Sequence, residues 1–157
     1  MEGVKGEGQL RRVNAGVLWN SKPAFELIAR YIEELRGRGV NVSSVVLIGS
    51  RARGDWRPWS DIDLLIVVPK KELKGLIPVG LVDARIYTKE ELEEAIDGCE
   101  VEVVEAFEDG VVISDDGTWE GLRARYLRVK ERYGVKRYKE GWRITKKPQK
   151  GEARAQS

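Results

Sequence analysis

Two short apolar runs, Val42 to Ile48 and Leu64 to Val68, are joined by a loop that opens on Gly49-Ser50 and closes on Asp61-Ile62-Asp63. The β-branched content of both runs assigns them to strands. A small-residue turn at the end of one strand and two carboxylates at the head of the next describe a phosphate cradle facing a cation site. Alone, the turn is ordinary loop chemistry and the Asp-x-Asp is ordinary solvated edge; joined by one loop they point to an enzyme that holds a nucleoside triphosphate through metal ions.

At i and i+2 on a strand, Asp61 and Asp63 share a face, with backbones about 6.5–7 Å apart. Ile62 and Leu64 point the other way into the core, and a slip of one residue would bury both charges. Two acids this close raise each other's pKa unless a cation neutralises them. The chain has no His and a single Cys, Cys99, so zinc sites and His-dependent triads have no material and any metal must be held by oxygen. Mg²⁺, shared between carboxylates and substrate phosphates, is the natural ion, and two ions suit a displacement on phosphorus. A third acid from a neighbouring strand is Asp83, within the apolar run Leu81 to Ile86. Gly49 lets backbone amides approach phosphate oxygens, Ser50 adds a hydroxyl, and Arg51, Arg53 and Arg57 supply fixed charge, of which two at most can face inward. Trp56 and Trp59 are read as loop packing rather than base stacking, Asp55 and Ser60 as turn residues, and Cys99 as a small core residue.

Helical spacing of Phe25, Ile28, Ile32 and Leu35 follows a start signal at Ser21-Lys22-Pro23. Val79 to Tyr87 alternates as a third strand after a short helical turn at 70–76. Thr88 with Glu91 predicts a capping box for a helix to about Asp97. Val101 to Phe107 reads as a strand or a short helix, Val111 to Ser114 as a strand, and Trp119, Leu122, Tyr126, Val129 and Tyr133 line a last helix ended by Gly134. The fold class is therefore α+β (α/β), a small mixed sheet flanked by helices. Residues 1–20 are expected to form a flexible or loosely docked arm, 21–145 a single domain, and 146–157 a disordered basic tail. No apolar stretch has the length of a membrane span and the N-terminus lacks a signal-peptide core, so a cytoplasmic protein is expected.

The 157 residues carry a net charge of +2, with 34% charged side chains and few Asn, Gln, Met or Cys, a usage that fits a thermophile. Residues 89–120 sum to −12 and residues 121–150 to +10. Either the two segments neutralise each other within the fold, or the second is a basic surface for an anionic partner such as RNA.

The pattern Gly49-Ser50-Arg51-Ala52-Arg53-Gly54, then Ser60-Asp61-Ile62-Asp63-Leu64, resembles the signature of the DNA polymerase beta-like nucleotidyltransferases, and specifically their minimal (MNT-type) members in archaea and bacteria. The resemblance covers residues 43–68 closely and extends to Tyr87. It implies the nucleotidyltransferase fold, phosphate contacts at Gly49 and Ser50, and metal-binding catalytic acids at Asp61, Asp63 and Asp83. It also implies transfer of a nucleoside monophosphate, AMP from ATP in the first instance, to a hydroxyl, and pairing with a HEPN-type toxin that the chain would neutralise as antitoxin. Two alternatives stay open: a non-catalytic binding module that works by occupying its partner, and a nucleic-acid binder using the basic C-terminal helix.

Overall fold

All five residues of β1, Ser44–Ile48, are buried, and this strand is an interior member of a four-stranded sheet with the order β3-β2-β1-β4. The computed structural model describes residues 9–71, 80–138 and 141–145. Most of the helical turn expected at 70–76, and the whole of the tail at 146–157, lie outside the described residues. β1 pairs antiparallel with β2 (Ile62–Val68) and with β4 (Val111–Asp115), while β2 pairs parallel with β3 (Val82–Thr88). The sheet is thus mixed and α+β, as the sequence pattern predicts.

Alternation along β1 and β2 divides the core in two. Val45, Leu47, Leu64 and Ile66 face one side, where α1 (Ala24–Gly37) lays down Ile28, Ile32 and Leu35. Val46, Ile48, Leu65 and Val67 face the other. There they meet Leu92 and Ile96 of α3 (Lys89–Asp97), Val103 and Phe107 of α4 (Val101–Asp109), and Trp119, Leu122 and Tyr126 of α5 (Thr118–Tyr133). The Phe107 ring stacks on Trp119 at 4.0 Å and on Tyr126 at 5.1 Å. Thr88 and Glu91 form the capping box the sequence predicts.

Three stretches differ from, or sharpen, the sequence reading. Val101 to Phe107 is helical, because Val103, Val104 and Phe107 fall at helical spacing toward the core while the intervening glutamates stay outside it. Residues 10–18, within the expected arm, lie against the domain: Ala15 and Leu18 are buried, the Arg11 amide donates to the Ile113 carbonyl, and Val17 bridges to Pro23. Past Gly134, where no element is predicted, β5 (Val135–Tyr138) and β6 (Gly141–Ile144) pair as a separate antiparallel ribbon. Each strand is four residues long and mixes charge with aromatics, too short and too polar for a periodic signal.

Candidate functional site

The loop between β1 and β2 folds back so that the turn and the carboxylates meet. Ile48, the last residue of β1, is register-paired with Asp63. Gly49 follows at φ +76°, and a Cβ placed on it would lie 2.4 Å from Asp63 Oδ2. Only glycine satisfies both constraints, the positive φ and the close carboxylate. A single helical turn, α2 (Ser50–Arg53), starts there, with the Ala52 and Arg53 amides donating to the Gly49 carbonyl. Gly49→Ala is expected to destabilise the chain, by at least about 1 kcal/mol because φ +76°, ψ −158° is a conformation essentially reserved to glycine, and to push the Asp63 carboxylate out of place. Thermal melts together with a nucleotide-binding titration check this, and a variant with parental melting and binding would show the cradle to be looser than described.

Asp63 is also level with Asp83 across the parallel β2–β3 pair, so the two side chains leave the same face of the sheet. Burial raises the Asp63 carboxyl above its ordinary pKa, and Asp83 and then Asp61 push it further, against the pull of Arg85 and Arg53. Asp61, just before β2, is exposed and makes no hydrogen bond among the described residues. The sheet therefore brings the three expected acids to one end.

It does not close them into a cage. Asp83 accepts a 3.0 Å hydrogen bond from Arg85, whose other arm pairs with Glu102 near the start of α4. Among the described residues no three acidic side chains converge closely enough to hold a metal ion. The donor chemistry, carboxylate oxygen throughout with no His in the chain, still fits a hard divalent cation, and a cation would offset both the burial and the repulsion from Asp83 and Asp61 that raise Asp63. Asp61 and Asp63 make no ion pair among the described residues, whereas Asp83 is engaged by Arg85.

The arginines divide. Arg53 stays on the surface, 3.5 Å from Asp55 and within electrostatic reach of Asp63. Arg51, expected among the phosphate contacts, turns inward instead. It is 1% exposed, and its guanidinium donates to the carbonyls of Ala15, Val17, Arg57, Pro58 and Ser60 at 2.9–3.4 Å. The one-turn α2 directs position 51 at the two loops rather than at the cradle, and burial pulls its pKa down. Trp56 packs near it, the guanidinium lying 5.4 Å from the indole, whereas Trp59 is 70% exposed. Ser60 is a turn residue, its hydroxyl accepting from the Arg57 amide at 2.8 Å. The sequence reading missed Arg85, although i+2 from Asp83 on a strand puts it on the same face; Glu102, on a distant helix, carries no such signal.

Among the described residues no helix is long and apolar enough to cross a membrane. No curated protein matches the chain. A solved structure from Sulfolobus solfataricus, of a protein assigned by inference to the nucleotidyltransferases, shares 25% identity over 55% of this chain and 76% of its own, with a TM-score of 0.39. The family model for the nucleotidyltransferase domain matches residues 28–138, from within α1 to the end of β5 and so across the whole four-stranded sheet and the loop between β1 and β2. The chain belongs to the nucleotidyltransferase domain family.

Proposed function

We propose that this domain, residues 21–145 with the docked stretch 10–18, transfers a nucleoside monophosphate from a triphosphate, ATP first, to a hydroxyl acceptor with the help of Mg²⁺. Nucleotidyl transfer is the chemistry of the family. The observation that carries the residue assignment is the meeting of Gly49, Asp63 and Asp83 at one sheet end, with Asp61 two residues away. Asp61 and Asp63 would hold the metal, and Asp83 would complete the set. Gly49 and Ser50 face the phosphates, with Arg53 supplying charge from the rim. The acceptor oxygen bonds to the α-phosphorus, the α–β phosphoanhydride bond breaks, pyrophosphate leaves, and an ionised carboxylate, Asp83 in our assignment, takes the hydroxyl proton. Bound Mg²⁺ would supply charge neutralisation at the phosphate oxygens.

The resemblance to minimal nucleotidyltransferases supports a HEPN-type protein as acceptor, with the chain acting as its antitoxin by adding AMP. One observation favours a second reading, a stoichiometric binding module: Asp83 is engaged by Arg85. Labelled ATP, CTP, GTP and UTP, offered with the protein encoded by the neighbouring gene, separate the two. Transfer that is lost in Asp61→Asn supports the enzyme. Neutralisation of the partner without transfer, unaffected by Asp61→Asn, supports the module.

Arg85→Gln should tighten Mg²⁺ binding, because it frees Asp83 and removes a positive charge. The pair is about half exposed on both sides, so the gain is modest, roughly two- to five-fold, as an ion pair of up to about 1 kcal/mol would withhold. Calorimetry checks it, and unchanged or weaker binding would remove Asp83 from the metal set.

A further inference from the structure

The β5–β6 ribbon lies beyond the four-stranded sheet and takes no part in the site above. Its register pairs Val135 with Ile144, Lys136 with Arg143, Arg137 with Trp142 and Tyr138 with Gly141. Alternation therefore gives it two different faces. The inner face is spoken for: Val135 is buried, Trp142 and Ile144 pack on the core, and Arg137 pairs with Asp109 while lying 4.4 Å from the Trp142 ring. The outer face presents Lys136, Tyr138 and Arg143, all exposed, with the Arg143 guanidinium 4.0 Å from the Tyr138 ring centroid. Tyr138 is 55% exposed.

The same sorting by direction holds in α5. Arg125 and Lys130 point inward to Asp97 and Glu108, so part of the basic segment does neutralise the acidic one. Arg123, Arg128 and Arg132 are exposed and make no ion pair among the described residues, although Glu120 and Glu131 share that surface. Among the described residues, what the fold leaves outward on the ribbon is of one sign and carries a flat ring. An acidic peptide would need the cations and not the ring; a bilayer would need more apolar surface than one tyrosine. A ring clamped by a guanidinium beside a cross-strand pair of cations suits a strand whose bases are free to stack and whose phosphates need charge.

We propose that the outer face of the β5–β6 ribbon binds single-stranded nucleic acid, with a base stacked on Tyr138 and phosphates paired to Lys136 and Arg143. Fluorescence anisotropy with a labelled mixed-sequence oligonucleotide, as single-stranded RNA, single-stranded DNA and duplex, tests it without Mg²⁺ or triphosphate. Its result is therefore read independently of nucleotide transfer. Tyr138→Ala should weaken binding roughly 5- to 150-fold, the range of one base–aromatic stack, with the salt slope unchanged, and Tyr138→Phe should restore it. Lys136→Gln with Arg143→Gln should instead reduce the magnitude of the slope of log K on log salt by about 1.4. Absent binding, a preference for the duplex, or parental affinity in Tyr138→Ala would overturn the proposal. So would polyglutamate competing as well as the oligonucleotide, which would reassign the face to an acidic protein.

Discussion

Asp63→Asn is expected to melt at a higher temperature than the parental chain at neutral pH while losing nucleotide transfer. Folding raises the Asp63 pKa through burial first, then through Asp83 and Asp61. A carboxyl whose folded pKa lies above its unfolded value stabilises the fold when protonated, and that contribution is lost as pH rises through the raised folded pKa. At neutral pH the ionised side chain is thus a net cost, which asparagine removes. The stability difference should shrink as pH falls below the ordinary carboxylate value of about 4, where both chains are neutral at this position. Added Mg²⁺ should raise the melting temperature of the parental chain and not that of the variant, because a ligand that binds only the folded state stabilises it by mass action. The charge stabilisation lost with a metal ligand, several kcal/mol, corresponds to about 10³-fold in transfer rate for about 4 kcal/mol. Melts with and without Mg²⁺ at the two pH values, beside a transfer assay, read all of this. A variant that melts lower at neutral pH, or that still transfers, would sink the assignment of Asp63 as the strained acid of the site.

The elements that were legible in sequence are those whose pattern is decided locally. Phe25 to Leu35 carries an unmixed helical period, Ile62 to Val68 is a short, nearly continuous apolar run, and Thr88 with Glu91 is a cap written in two residues. Val101 to Phe107 was ambiguous because Val101, Val103 and Phe107 fit alternation while Val103, Val104 and Phe107 fit a helix; the helix prevails through burial against α5 and the sheet. That Asp63 and Asp83 stand level is a fact of strand register, and the length of the intervening chain does not set it. The direction of Arg51 is likewise tertiary. Residue chemistry alone places an arginine beside Gly49-Ser50 at phosphates, and nothing local announces five carbonyls arriving from residues 15–17 and 57–60. The family was legible because its signature combines a turn and a carboxylate pair at fixed spacing, each too common to identify anything alone.

Those five carbonyls make Arg51 the second place where a single change should have a large effect. Among the described residues its guanidinium is buried without a carboxylate partner and is hydrogen-bonded only to backbone carbonyls, with the Trp56 ring nearby, so charge and carbonyls satisfy each other and neither is satisfied without the other. Arg51→Met roughly keeps the volume and leaves five carbonyls of two loops unpaired, that of Ala15 buried and the others partly so, an expected loss of about 3–5 kcal/mol in all. For a domain of this size that is roughly 6–20 °C in melting temperature. Arg51→Lys keeps the charge, but three donors on one nitrogen cannot span carbonyls that the planar fork reaches from both sides, so it too should melt well below the parental chain. The measurement distinguishes this structural role from a phosphate contact. A phosphate ligand replaced by lysine would leave the melt of the nucleotide-free chain unchanged and raise only KM for the triphosphate, and that outcome would return Arg51 to the cradle. On the proposed assignment transfer should nevertheless fall in both variants, because the 57–60 loop that Arg51 ties down delivers the chain directly to Asp61, and a carboxylate that wanders by an ångström would no longer share a cation with Asp63.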